Sequence, residues 1–99
     1  MARALDQNNQ TDQAIKLYED LLIITPTFAK THYYLGQLLS QKGKTGLGHY
    51  HTGLYNWIEG NIPNAKYHLG KALELLPKDS IYKEKSANML DKITKLEKL

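Results

Sequence analysis

The residues of this chain best suited to chemistry are four histidines: His32, His49, His51 and His68. Imidazoles bind metals and carry protons near neutral pH. Helical metal pairs stand three or four residues apart, as in H-E-x-x-H. His49 and His51 are two apart and point to different sides of a helix, and only Glu59 offers a nearby carboxylate. The pattern therefore predicts packing or surface histidines, with no metal site and no cofactor. Ser40, Ser80 and Ser86 sit in helical or capping contexts. No nucleophile stands with a base and an orienting acid. With no cysteine there is no thiol chemistry or disulfide. The chain is not expected to be an enzyme in its own right.

A second group could recognise rather than react: Tyr33, Tyr34, Tyr50, Tyr55, Trp57 and Tyr67. Packing between helices should claim most of them. Tyr and Trp also bury large area while keeping a polar tip, which suits a recognition surface. Tyr33, Gln37 and Gln41 fall four apart on one helical stripe, with Tyr34 beside it. Tyr50, Leu54 and Trp57 form another, beside Ile58. The expected peptide-binding face is Tyr33, Tyr34, Gln37, Tyr50, Leu54 and Trp57.

Charge shapes the expected partner. The formal net charge is +3. No Asp or Glu lies between Leu21 and Ile58, whereas Lys30, Lys42 and Lys44 do, so an acidic protein segment is favoured. The tail from Lys83 to Lys98 interleaves Lys with Glu84, Asp91 and Glu97, the pattern of a solvated helix face rather than a nucleic-acid patch. No apolar run approaches about 18 residues, so no membrane insertion is expected. The N-terminus lacks a signal-peptide pattern. It reads as an excised piece, which leaves the parent's compartment open.

Ninety-nine residues, 41% hydrophobic, make one small domain or a fragment of a larger protein. The elements that must position these side chains read as helices over residues 11–24, 28–42, 46–59, 62–76 and 80–97, with no sheet. Before them, Ala2 to Asn8 reads as a short helix remnant ending at the polar break Asn8, Asn9, Gln10. Thr11 is expected to cap the first full helix. Pro26 stops that helix, Gly43 and Gly60 end the next two, Asn61 caps the fourth above Pro63, and Asp79 or Ser80 caps the fifth.

The chain repeats itself. HYYLGQLLSQKG (His32 to Gly43) returns as HYHTGLYNWIEG (His49 to Gly60), offset by 17 residues. AIKLYEDLLIITP (Ala14 to Pro26) returns as AKYHLGKALELLP (Ala65 to Pro77), offset by 51. Both offsets are multiples of half the roughly 34-residue tetratricopeptide period. The stretch from His49 to Pro77 resembles a tetratricopeptide repeat: Gly53 at the helix crossing, the turn glycine Gly60, Ala65 and Ala72 in the second helix, and the closing Pro77. Gly36 and Gly43 recur in the repeat before it. The resemblance implies an all-α, antiparallel helix-turn-helix solenoid of five to six helices. Small residues at the crossings would let backbones approach.

One departure stands out. After Gly43 a second-helix pattern is due, yet GLGHYHTGLYNWIEG reads as a first helix. The helix over 46–59 is therefore expected to be a hybrid, filling a second-helix slot while pairing forward as a first helix. The single domain 1–99 then divides into a partial repeat (1–27), an atypical repeat (28–60), a best-matching repeat (46–79) sharing its first helix, and a C-terminal capping helix (80–99).

That merged arrangement, followed by a lysine-rich terminal helix, resembles the C-terminal tail of bacterial zinc metalloproteases of the CAAX-protease type. The resemblance implies a non-catalytic tail of an envelope or periplasmic protease, binding a peptide or protein segment. The alternative is a structural element that self-associates as a homo-oligomer or packs intramolecularly on its parent's protease domain. A chaperone-tail clamp is disfavoured, because the places for its lysine and asparagine hold Tyr33, Gln37, Tyr50 and Leu54.

Overall fold

The computed structural model describes the backbone of residues 2–25 and 27–99 and the side chains of residues 10–25 and 27–99. Met1 and Pro26 lie outside the described residues. Five α-helices follow one another, with no strand among the described residues: α1 (Ala2–Ile24), α2 (Ala29–Gln41), α3 (Thr45–Glu59), α4 (Ile62–Leu75) and α5 (Ile81–Glu97). The all-α expectation holds.

The N-terminal expectation does not. Residues Asn8 to Gln10 are helical, so there is one long helix and Thr11 lies inside it rather than capping it. Asn and Gln cost only tenths of a kcal/mol in a helix interior. A polar run without Gly or Pro is therefore a weak break. The C-terminal end follows expectation: α1 stops at Ile24, and Thr25 donates both its N–H and its hydroxyl to the Leu21 carbonyl.

The other ends are set by identifiable caps. The Asn61 side chain accepts the Asn64 N–H at the start of α4, with Pro63 in the first turn. The Ser80 hydroxyl accepts the Tyr82 N–H at the start of α5. Gly43 and Gly60, 17 residues apart, both have φ of 84°, the left-handed conformation that ends α2 and α3. Their turns close identically. Gly43 N–H reaches the Ser40 carbonyl and Lys44 N–H the Leu39 carbonyl; Gly60 N–H reaches Trp57 and Asn61 N–H reaches Asn56.

The 17-residue step extends to the helix crossings. A Cβ on Gly36 would meet the Thr52 Oγ1 at 2.6 Å, and a Cβ on Gly53, 17 residues later, would meet the Leu69 Cγ at 2.8 Å. Gly36 and Gly48 also face each other across the α2/α3 crossing, each carbonyl close to where the other's Cβ would stand. The α2/α3 and α3/α4 interfaces are thus two copies of one packing register.

Two apolar clusters result. Leu69, Ala65, Ala72, Leu76, Tyr50 and Ile93 form one between α3, α4 and α5, and Ile15, Leu35 and Leu39 form the other between α1 and α2. Ser86, fully buried, fills the gap in the α5 stripe and donates to the Tyr82 carbonyl, while Leu96, assigned to that stripe from sequence, is 52% exposed.

Each helix packs on the next, and α3 also touches α5, whereas α1 and α3 make no close backbone approach among the described residues. The hybrid helix α3 therefore packs backward on α2 and forward on α4. The radius of gyration is 14.2 Å, above the roughly 13 Å of a compact domain of this length, as an extended stack requires.

Candidate functional site

The space left between α1 and α3 is a groove of about 580 Å³. Its α1 wall carries Glu19, Leu22 and Ile23, and its floor is His32 and Leu35 of α2. The α3 wall presents Tyr50, His51, Leu54, Trp57 and Ile58, and α5 closes one side with Tyr82, Lys85 and Met89. Helical spacing explains the α3 wall: residues 50, 51, 54, 57 and 58 fall on one face. Ile23 is 81% exposed and Ile58 38%, so the rim is apolar and open to solvent.

The six residues expected to share one face divide. Tyr50, Leu54 and Trp57 line the groove. Tyr33, Tyr34 and Gln37 are not among its lining residues. They belong to a separate tyrosine ladder in which Tyr18 stacks on Tyr34 with centroids 5.9 Å apart, Tyr34 meets Tyr33 at 5.5 Å, and Tyr33 meets Tyr55 at 5.0 Å. The Gln37 amide donates to the Tyr33 hydroxyl at 2.8 Å. Residues 33 and 37 share a stripe, but that stripe is about 100° from His32 and its groove-facing side. Tyr50 is also largely buried, packing on Tyr82 with centroids 5.2 Å apart. Burial, and then the neighbouring Tyr82, push its phenol pKa up, keeping it neutral.

The charge expectation needs correction too. The groove is not free of acid, because Glu19 stands on its α1 wall. Its cation is Lys85, and Lys30, Lys42 and Lys44 lie elsewhere. Lys42 is instead paired with Asp12 at 3.1 Å. The sequence window without acids ends where α1 supplies one from outside it.

The histidines meet in a way that spacing along one helix could not show. His32 Nδ1 lies 3.1 Å from His51 Nδ1, and His49 Nδ1 lies 2.9 Å from His68 Nδ1. Both pairs span 19 residues, and the second is the first moved by 17. The ring centroids stand 5.3 and 5.1 Å apart, much farther than the nitrogens, so the rings meet edge to edge through an N–H···N hydrogen bond. One ring of each pair donates and the other accepts. Among the described residues no group of three or more His, Cys, Asp or Glu could hold a metal ion.

The first pair is buried at the groove floor and the second half-buried between α3 and α4. Burial, then His32 and Lys85, hold the His51 pKa down at about 3. Burial and Lys71 lower His49, and burial and His49 lower His68.

No helix is long and apolar enough to cross a membrane. Comparison with protein-family models, with curated proteins and with solved structures gives no match for this chain.

Proposed function

We propose that this domain is a protein-binding module whose groove receives an amphipathic helix from a partner. The observation that carries this reading is the groove itself: apolar walls at Leu22, Ile23, Leu54, Trp57, Ile58 and Met89, with Glu19 on one wall and Lys85 on another. The space between α1 and α3 lies over Leu35, between two helices already held apart by α2. A helix laid there would bury its apolar stripe, each large side chain contributing about 1.5–3 kcal/mol. A basic residue beside Glu19 and an acidic one beside Lys85 would fix its direction. A tetratricopeptide-like solenoid is the architecture this reading assumes, supported by the repeated crossings and turns. The metalloprotease-tail relation rests on resemblance alone, and an H-E-x-x-H encoded upstream of Met1 would support it.

Trp57 is the single tryptophan, so its emission reports directly on the groove. Titration with synthetic amphipathic helical peptides, each with one basic and one acidic end, is expected to shift that emission with roughly micromolar affinity. Ile23→Lys, at an exposed rim position, should weaken binding at least tenfold with helicity unchanged. Equal affinity in Ile23→Lys, or no emission change with any such peptide, rejects the groove as the binding site.

A second reading is favoured by one observation. Leu17 (59% exposed), Leu21 (37%) and Ile24 (76%) form an uncovered stripe on α1, continued past the turn by Phe28 (54%). Solenoids expose such faces where no capping element covers them. The opposite end, α5, carries alternating Lys and Glu or Asp and reads as a cap. We propose as the alternative that α1 stripes from two copies pack together. Light scattering would then give a dimer that Leu17→Lys/Ile24→Lys disperses. A monomer at all concentrations removes this reading.

A further inference from the structure

We propose that the two histidine pairs form an acid-sensitive latch: proton uptake by them releases α3 from α2 and α4 and dissolves the groove. Each pair is the polar contact across one helix crossing, His32–His51 for α2/α3 and His49–His68 for α3/α4. An N–H···N bond needs one ring to keep a lone pair. A first proton leaves an imidazolium facing an imidazole. A second leaves two cations nose to nose with no acceptor between them.

The surroundings oppose even the first proton. His51 faces His32 from α2, Lys85 and Tyr82 from α5, and its own neighbour Tyr50. His49 faces His68, Lys71 and Tyr67 from α4. The carboxylate that shares the groove, Glu19, stands on the α1 wall. Lysines near both pairs repel added charge, and burial penalises it.

The direction of the pH effect follows. In the unfolded chain a histidine takes its proton near pH 6.5. In the fold His51 resists protonation down to about 3. Between those values the unfolded chain holds more protons, so stability is full above about pH 6.5 and is lost as pH falls. His51 alone should lower the folding equilibrium constant about 30-fold between pH 7.5 and pH 5. His49 and His68 shift the same way and add to it. Because His32 and His51 line the groove, its floor is among the first places to loosen.

The test is urea unfolding of the full 99-residue chain at pH 7.5 and pH 5, followed by far-ultraviolet circular dichroism and by Trp57 emission, with no peptide present. The expected result is a fall of 30-fold or more in the folding constant, with Trp57 emission shifting red at lower urea than helicity is lost. His49→Gln/His68→Gln, at the more exposed pair, should shrink the pH effect. A fall of less than about threefold, or an identical fall in the variant, overturns the latch. If the variant does not fold, histidine proton resonances of the native chain decide. Titration of His51 well below pH 6.5 supports the latch, and titration near 6.5 with the folded spectrum intact overturns it.

Discussion

Gly53→Leu is expected to unfold the domain or lower its stability by about 3 kcal/mol, the upper part of the range for overpacking a close-packed site. A Cβ at this position would stand 2.8 Å from the Leu69 Cγ, 3.0 Å from its Cδ2 and 3.2 Å from its backbone nitrogen. The side chain could rotate aside, but the nitrogen belongs to α4 and can yield only by moving that helix. Leu69 is fully buried at the centre of the larger cluster, so it has no vacant space to rotate into. The midpoint of thermal unfolding should fall by well over 10 °C for a domain of this size. A shift under about 2 °C would mean that α3 and α4 do not cross at Gly53. Leucine at Gly70 is a useful contrast, because a Cβ there meets nothing within 4 Å. The difference between the two glycines isolates helix approach from helix propensity, since both lie inside helices.

Why the crossings were legible from sequence while the groove was not is a matter of range. Gly36, Gly53, Ala65 and Ala72 are all buried, and each is small because a neighbouring backbone leaves no room. That constraint acts on one position at a time, so it is written into single residues and their 17-residue recurrence. The turn glycines Gly43 and Gly60 obey the same logic, since a φ of 84° is strained for any residue with a side chain. Pro77 is exposed and follows the last turn of α4, as a residue that cannot continue a helix should. The break expected near Asn9 failed for the complementary reason: a weak local preference lost to a helix long enough to carry it.

The candidate site depends on which helices face each other, and periodicity along one helix cannot decide that. Tyr33 and Tyr50 occupy equivalent positions in the repeat, yet Tyr33 is 37% exposed in the tyrosine ladder and Tyr50 is buried beside Tyr82. Two helices follow α3 but only one precedes α2 with described side chains against it. Equivalent residues therefore meet different neighbours. The histidines show the same limit. Metal-type spacing was sought within one helix, whereas the partner of each histidine lies 19 residues away on the next. A signal was present: two histidines in each of two copies of a 17-residue unit, at positions that recur in step. Reading the offset as one helix-and-turn step, rather than as half of a longer period, places His51 against His32 and His68 against His49.

Leu69→Ala is the second large effect, and it tests the same contact from the other side. The leucine is fully buried, and its deletion leaves a cavity between Tyr50, Ala65, Ala72 and Ile93. The expected cost is about 2–5 kcal/mol, the range for removing a buried leucine. The more telling measurement is a double-mutant cycle with Gly53→Ala. Alone, the added methyl presses on the Leu69 side chain, with contacts of 2.8 and 3.0 Å. With Leu69 already cut back to alanine, the same methyl enters the space the leucine left and restores part of the lost packing. The two changes should then be less harmful together than the sum of each alone, by roughly 1–2 kcal/mol, a coupling typical of residues in direct contact. Additive costs in urea unfolding would mean that Gly53 and Leu69 do not touch, and the 17-residue equivalence of the two crossings would fail with them. If the coupling is found, Gly36 and Thr52, the matching pair one step earlier, should couple in the same direction.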